Sequence, residues 1–253
     1  MIADPSPGHP AVSAYLDDGY ERVPGMSSRF AAAICARLLR LQTEKGVSGP
    51  IAEIGAFEGR FLIALAHALE PGEVALAVDL FEWPDAGVQG RFEANASRHG
   101  IGPERRITVK ADSGTMTPKD LVSHARGERF RLIHIDGEHS RAALAKDFAL
   151  ATASLAEGGL IVLDDMLHPG YPTLMVTVQH FLDPHPDILP LCIIDRESVV
   201  AATKFVLCQR QWFTRYQAQM ETIFDGWIWP MGADFEPHSC LVLSQDTRMA
   251  EIR

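Results

Sequence analysis

The chain has 253 residues, 47% hydrophobic and 22% charged, a balance that suits a globular protein burying a sizeable core in one large α/β domain or a domain with appendages. Its formal net charge of −10 creates a field that repels phosphate backbones and anionic lipid, which argues against nucleic acid and membranes as partners. Cys35, Cys192, Cys208 and Cys240 form no Cys-x-x-Cys pair, and neither a basic-then-apolar leader nor a membrane-length apolar run is present, so the expected setting is cytoplasmic.

Residues 1–10 contain three prolines and little to bury, and read as a mobile arm. A short helix is expected over 11–20, then a loop ending in an N-capping Ser28. Residues 29–44 come next, with Phe30, Ile34, Leu38, Leu39 and Leu41 at helical spacing. Residues 1–48 thus form an arm and a helical cap packed beside the central fold.

The stretch I-A-E-I-G-A-F-E-G-R, 51–60, is a strand, a turn bracketed by Gly55 and Gly59, and the start of a helix over 61–69. Backbone amides and a helix N-terminus then face a ligand. Pro71-Gly72 ends the helix, and the apolar run 74–79 reads as a strand buried on both faces, ending in Asp79. Asp79 lies 24 residues beyond Gly55, where a carboxylate can accept both hydrogen bonds of a ribose diol. Nicotinamide-cofactor enzymes and methyltransferases both use that device. A polar helix over 91–99 and a strand over 106–110 lead to Asp112-Ser113, which can contact an adenine edge or serve as turn chemistry.

A helix over 118–126 precedes F-R-L-I-H-I-D-G-E-H-S, 130–140, a buried strand with Asp136, Glu138 and His139 at its C-terminal end. A helix over 140–155 would cross back to a second apolar strand, 160–165, ending in Asp164-Asp165. Asp136, Asp164 and Asp165 would then converge, and three like charges in a small space call for a cation. A hard divalent ion, Mg²⁺ foremost, would take their oxygens and keep waters for a substrate to displace.

With Glu53 ahead of the turn, E-x-G-x-x-x-G resembles the first motif of class I S-adenosylmethionine-dependent methyltransferases. Together with I-D-G-E-H-S and G-G-L-I-V-L-D-D-M, it is similar to the metal-dependent small-molecule O-methyltransferases, the catechol-type and the sugar and macrolide (TylF/MycF-like) groups, over residues 23–210. Catechol-type enzymes usually carry Asp-Asn at the last pair; the Asp-Asp here is closer to the sugar and macrolide group. The resemblance implies a Rossmann-like, seven-stranded, mostly parallel sheet with an antiparallel C-terminal hairpin. It implies S-adenosylmethionine held by Glu53, Gly55, Ala56, Phe57, Gly59, Asp79, Leu80, Asp112, Ser113 and Asp136. The metal falls to Asp136, Asp164 and Asp165, and the proton acceptor is His139 or Glu138, His139 being preferred because imidazole titrates near neutrality. Met26 and Ser27 fall where relatives close over the donor, and Met26, His168 and Tyr171 line the acceptor pocket.

The remaining chain reads as a helix over 173–182, a proline turn at 184–186, strands over 189–194 and 204–208, and a helix over 211–224. Trp227 and Trp229 in D-G-W-I-W-P-M-G could wall a substrate pocket, form a contact in a homodimer or higher homo-oligomer, or pack on an edge strand. The expected organisation is 1–48 cap, 49–210 donor-binding domain and 211–253 extension. The expected activity is Mg²⁺-dependent O-methylation of a small hydroxylated metabolite, against two rivals: a non-catalytic S-adenosylmethionine-binding partner and a nicotinamide-linked oxidoreductase.

Overall fold

The computed structural model describes residues 4–236 and 238–247. Its centre is one sheet built from β1 (Ile51–Ile54), β2 (Ala75–Asp79), β3 (Arg106–Lys110), β4 (Phe130–Ile135), β5 (Leu155–Met166), β6 (Ile188–Ile194), β7 (Thr203–Gln209), β8 (Ala233–Asp234) and β9 (Ser239–Leu243). The strand order is β3-β2-β1-β4-β5-β7-β6-β9-β8. Strands β1 to β5 pair in parallel, and β7 runs antiparallel between β5 and β6. The order reverses between β1 and β4, so a crevice opens at their C-terminal ends.

Among the described residues the sheet has nine strands where seven are expected. The two additions come from the C-terminal extension: β9 lies parallel to β6, and β8 pairs antiparallel with β9. Without them β6, rich in buried Leu191, Cys192 and Ile194, would present an open apolar edge. The tryptophan segment lies along the far side of β9, where Trp229 N donates to Val242 O at 2.8 Å and Ile228 bridges Leu243. Of the three placements open to that segment, this is packing on an edge strand.

Helices cover both faces. α1 (Pro10–Asp18), α2 (Arg29–Glu44), α3 (Arg60–Ala66), α4 (Val88–Arg98) and α8 (Arg210–Ile223) share a core with Ile51, Leu132, Val162 and Val206. α5 (Pro118–His124), α6 (Arg141–Ser154) and α7 (Thr173–Leu182) pack with Ile133, Leu163 and Phe205 on the opposite face. Period-2 alternation along each strand makes this division, and it also decides which polar side chains share a face.

The N-terminal cap is held by named bonds. Tyr20 Oη donates to Ser27 O and Ser28 O, both at 3.0 Å, and Ser28 Oγ accepts from Ala31 N, starting α2. Gln42 of α2 donates to Arg131 O at 2.7 Å and Gly158 O at 3.2 Å. The arm differs from expectation over its described part. Asp4 pairs with Arg29 at 2.9 Å and accepts from Gln245 at 2.6 Å, and Pro5 and Pro7 are buried, so residues 4–9 are docked. Met1 to Ala3 lie outside the described residues.

Candidate active site

The crevice is formed where β1 and β4 end. Gly55 adopts φ 86°, and a Cβ there would sit 1.9 Å from the backbone oxygen of Asp136, so glycine is required for the two strand ends to close on each other. Asp136 N donates to Ile54 O and Gly55 N to Val78 O, each at 2.8 Å, which locks the turn between its neighbours. Gly59, at φ 89°, is the N-cap of α3 and packs against Phe92. Ala56 is buried, and its carbonyl accepts from Gly59 N at 2.9 Å.

Asp79, at the end of β2, accepts from Phe57 N at 2.9 Å through one oxygen and from Phe81 N at 2.6 Å through the other. A carboxylate has about four acceptor sites, so capacity for a diol remains. Phe57 meets Trp83 with ring centroids 5.2 Å apart, and Leu80 and Trp83 are exposed beside them as apolar walls. Past β3, Asp112 accepts from Gly114 N at 2.8 Å, and Ser113 hydrogen-bonds Asp147. Asp147 of α6 is buried under Gly137; burial pushes its carboxyl up to about 6, with Ser113 opposing.

Glu53 is buried at the back of the crevice. Its Oε1 lies 2.7 Å from His134 Nδ1, while Oε2 has no hydrogen-bond partner among the described residues. Asp136 stands nearby, with its carboxyl well above the usual range because of burial first and the Asp164 charge second. An orphaned buried carboxylate oxygen beside a second acid suits a cationic group such as the ammonium end of a methionine moiety.

Among the described residues the three expected metal ligands do not form one cluster. Asp136 and Asp165 stay together with His139: one ligand atom from each lies within 4.8 Å of the others, as is also true of Glu53, His134 and Asp136. Asp164 points elsewhere. It is buried in an ion pair with Lys204 and accepts from Ser27 Oγ at 3.2 Å. Burial alone would raise its pKa, but the Lys204 ammonium holds it well below the usual carboxylate range. The cause is strand alternation. Asp164 lies on the sheet face of α2 and α3, whereas Asp165, at φ 55° in a bulge of β5, turns toward His139.

His139 Nε2 lies 2.6 Å from Asp165 Oδ2, and the imidazole stacks on Tyr171 at 4.2 Å. Tyr171 also stacks on His168 at 4.8 Å, and His168 accepts from Gly170 N. Met26 is exposed on the loop just before Ser27. Glu138 is exposed, and its charge acts on Asp147. His134 and Lys204 belong to the site without being expected from the sequence; both are charged-type residues inside apolar strand runs, and that anomaly is their signal.

Residues 52–166 match the family model described as "Methyltransferase domain". No curated protein matches the chain by sequence. Among solved structures, a Klebsiella pneumoniae protein described as an O-methyltransferase is 18% identical with TM-score 0.58, covering 80% of this chain and 90% of its own. The O-methyltransferase TomG of Streptomyces achromogenes, involved in tomaymycin synthesis and solved with S-adenosylmethionine, is 18% identical with TM-score 0.54, covering 79% and 89%. CalS11, a TDP-rhamnose 3'-O-methyltransferase of calicheamicin biosynthesis, is 16% identical with TM-score 0.53, covering 78% and 90%. At these identities the structural likeness speaks for the fold. Residues 52–166 thus carry a methyltransferase-domain match, and the chain around them shares the fold of these O-methyltransferase structures.

Proposed function

We propose that this chain is an O-methyltransferase acting on a small hydroxylated metabolite, and the observation that carries the reading is the His139–Asp165 contact of 2.6 Å beside the donor crevice. S-adenosylmethionine supplies the electrophilic methyl group. Glu53 Oε2 and Asp136 receive its positively charged end, Asp79 its ribose, and Asp112 and Ser113 its adenine edge. His139 accepts the hydroxyl proton of the acceptor, and Asp165 stabilises the imidazolium that results. Tyr171, stacked on that ring, fixes its orientation, and with Met26 and His168 lines the acceptor's approach.

Mg²⁺ prefers oxygen and binds through one or two carboxylates with waters and substrate completing its shell. Asp136 and Asp165 fit that demand, and Asp164, paired with Lys204, does not. When bound, the ion would lower the pKa of an acceptor hydroxyl. A metal-free reading draws on the closeness of His139 to Asp165, whose carboxylate would stabilise the imidazolium.

The test is methyl transfer from labelled S-adenosylmethionine to a panel of phenolic, sugar and macrolide hydroxyls, with EDTA and with added Mg²⁺. Transfer to oxygen lost in His139→Ala supports the reading. Donor binding with no transfer to any acceptor would favour a non-catalytic binding partner. Transfer that survives EDTA would favour the metal-free base.

A further inference from the structure

Lys204 is the least expected residue of the site. It stands in β7 with no solvent exposure, on the sheet face shared by Glu53, His134 and Asp164. Its ammonium contacts Asp164 in an ion pair, Ser27 Oγ at 3.0 Å and His134 Nε2 at 3.1 Å, and lies 4.6 Å over the Phe61 ring. An ammonium has three hydrogens to donate and accepts none, so these three partners account for it fully.

That inventory fixes the direction of each bond. Lys204 donates into His134 Nε2, which leaves the proton of that ring on Nδ1, donating to Glu53 Oε1 at 2.7 Å. Ser27 Oγ accepts from Lys204 and donates to Asp164 Oδ2 at 3.2 Å. Asp164 in turn accepts from its own neighbour, Asp165 N, at 2.7 Å. One buried cation thereby connects the cap loop, three strand ends and the carboxylate beneath the donor crevice.

We propose that Lys204 is the resident cation of this site: it takes the third carboxylate, Asp164, which relatives are expected to give to a divalent ion, and through His134 it aims Glu53 at the methyl donor. Lys204 is thus a positioning residue, and a divalent ion would have only the Asp136–Asp165 side left to it. The inference rests on the methyltransferase reading for its donor arm and on the Mg²⁺ reading for its metal arm, and the two arms are read separately.

The donor arm is calorimetric titration of S-adenosylhomocysteine into the full chain. Lys204→Met should lose at least tenfold in affinity, and wild-type affinity in that folded variant overturns the aiming role. The metal arm is Mn²⁺ binding followed by electron paramagnetic resonance. Asp164→Asn should bind Mn²⁺ as wild type does, Asp165→Asn should lose it, and Lys204→Met, which frees Asp164, should bind it several-fold more tightly. Loss of Mn²⁺ in Asp164→Asn overturns the proposal, and that variant keeps it falsifiable if Lys204→Met fails to fold. Were no form to bind Mn²⁺, the Mg²⁺ reading would fall and the donor arm would decide. Were wild type not to bind S-adenosylhomocysteine, the methyltransferase reading would fall and the metal arm would decide.

Discussion

His139 Nε2 and Asp165 Oδ2 stand 2.6 Å apart, joining the loop after β4 to the bulge near the end of β5 at the edge where the parallel strands end. On the proposed reading, that contact makes two residues from separate strand ends one proton-accepting unit. Asp165 also sits at φ 55° in a bulge of β5, so the geometry of the pair depends on the backbone there as well as on the side chains.

The pair predicts a division of labour. His139→Ala should lower kcat by about 10²–10⁴-fold, the usual contribution of a positioned base, while S-adenosylhomocysteine affinity changes little. Rate assays alongside calorimetry check this; a parallel loss of donor affinity would move His139 out of the base role.

Asp79 predicts the opposite pattern. Replacing it with alanine removes the ribose acceptor and also the partner of Phe57 N and Phe81 N. S-adenosylhomocysteine should bind roughly 10–100-fold more weakly, a cost of about 1.4–2.7 kcal/mol. Calorimetry reads it directly, and unchanged affinity would sink the ribose assignment.

Gly55→Ala should be felt in folding before it is felt in binding. Its Cβ would meet the Asp136 carbonyl at 1.9 Å, backbone on backbone, at a positive φ. A melting-temperature drop of roughly 5–15 °C is expected. Gly72→Ala is the control: its φ is 94° but nothing lies within 4 Å, so only the conformational term of about 1–2 kcal/mol applies. Equal losses in the two variants would contradict the close-approach argument.

Asp147 predicts a pH dependence. Its folded carboxyl sits at about 6 against an ordinary 3.8, chiefly through burial, so the folded chain holds that proton more tightly than the unfolded one. The penalty is absent below the ordinary value, grows as pH rises between the two, and is fully present above the folded value, at most about 3 kcal/mol. Asp147→Asn should therefore gain stability over wild type near pH 8 relative to near pH 4 in calorimetric melts. A difference that does not change with pH would refute the assignment.

The glycine turn, Asp79 and the acid-bearing ends of β4 and β5 are legible in the sequence because each closes an apolar strand run with a polar residue. Three features are not. Adjacent Asp164 and Asp165 look equivalent in a line of text, yet alternation sends them to different neighbours, and only pairing with β7 reveals Lys204 as the partner of Asp164. His134 and Lys204 hide inside L-I-H-I and T-K-F-V-L, where a period-2 reading puts both on the face of Glu53; the counter-charge to the acids is in the sequence but not adjacent to them. β9 escapes notice because its pairing with β6 is parallel and distant along the chain, and its short S-C-L-V-L run gives no local sign of a partner.

The most direct test of the central claim, that the crevice over the Gly55 turn is a methyl-donor site, is one calorimetric comparison of S-adenosylhomocysteine with NAD⁺ on the wild-type chain. Saturable binding of S-adenosylhomocysteine with no heat from NAD⁺ is the predicted result. Binding of NAD⁺ alone, or of neither, would contradict it.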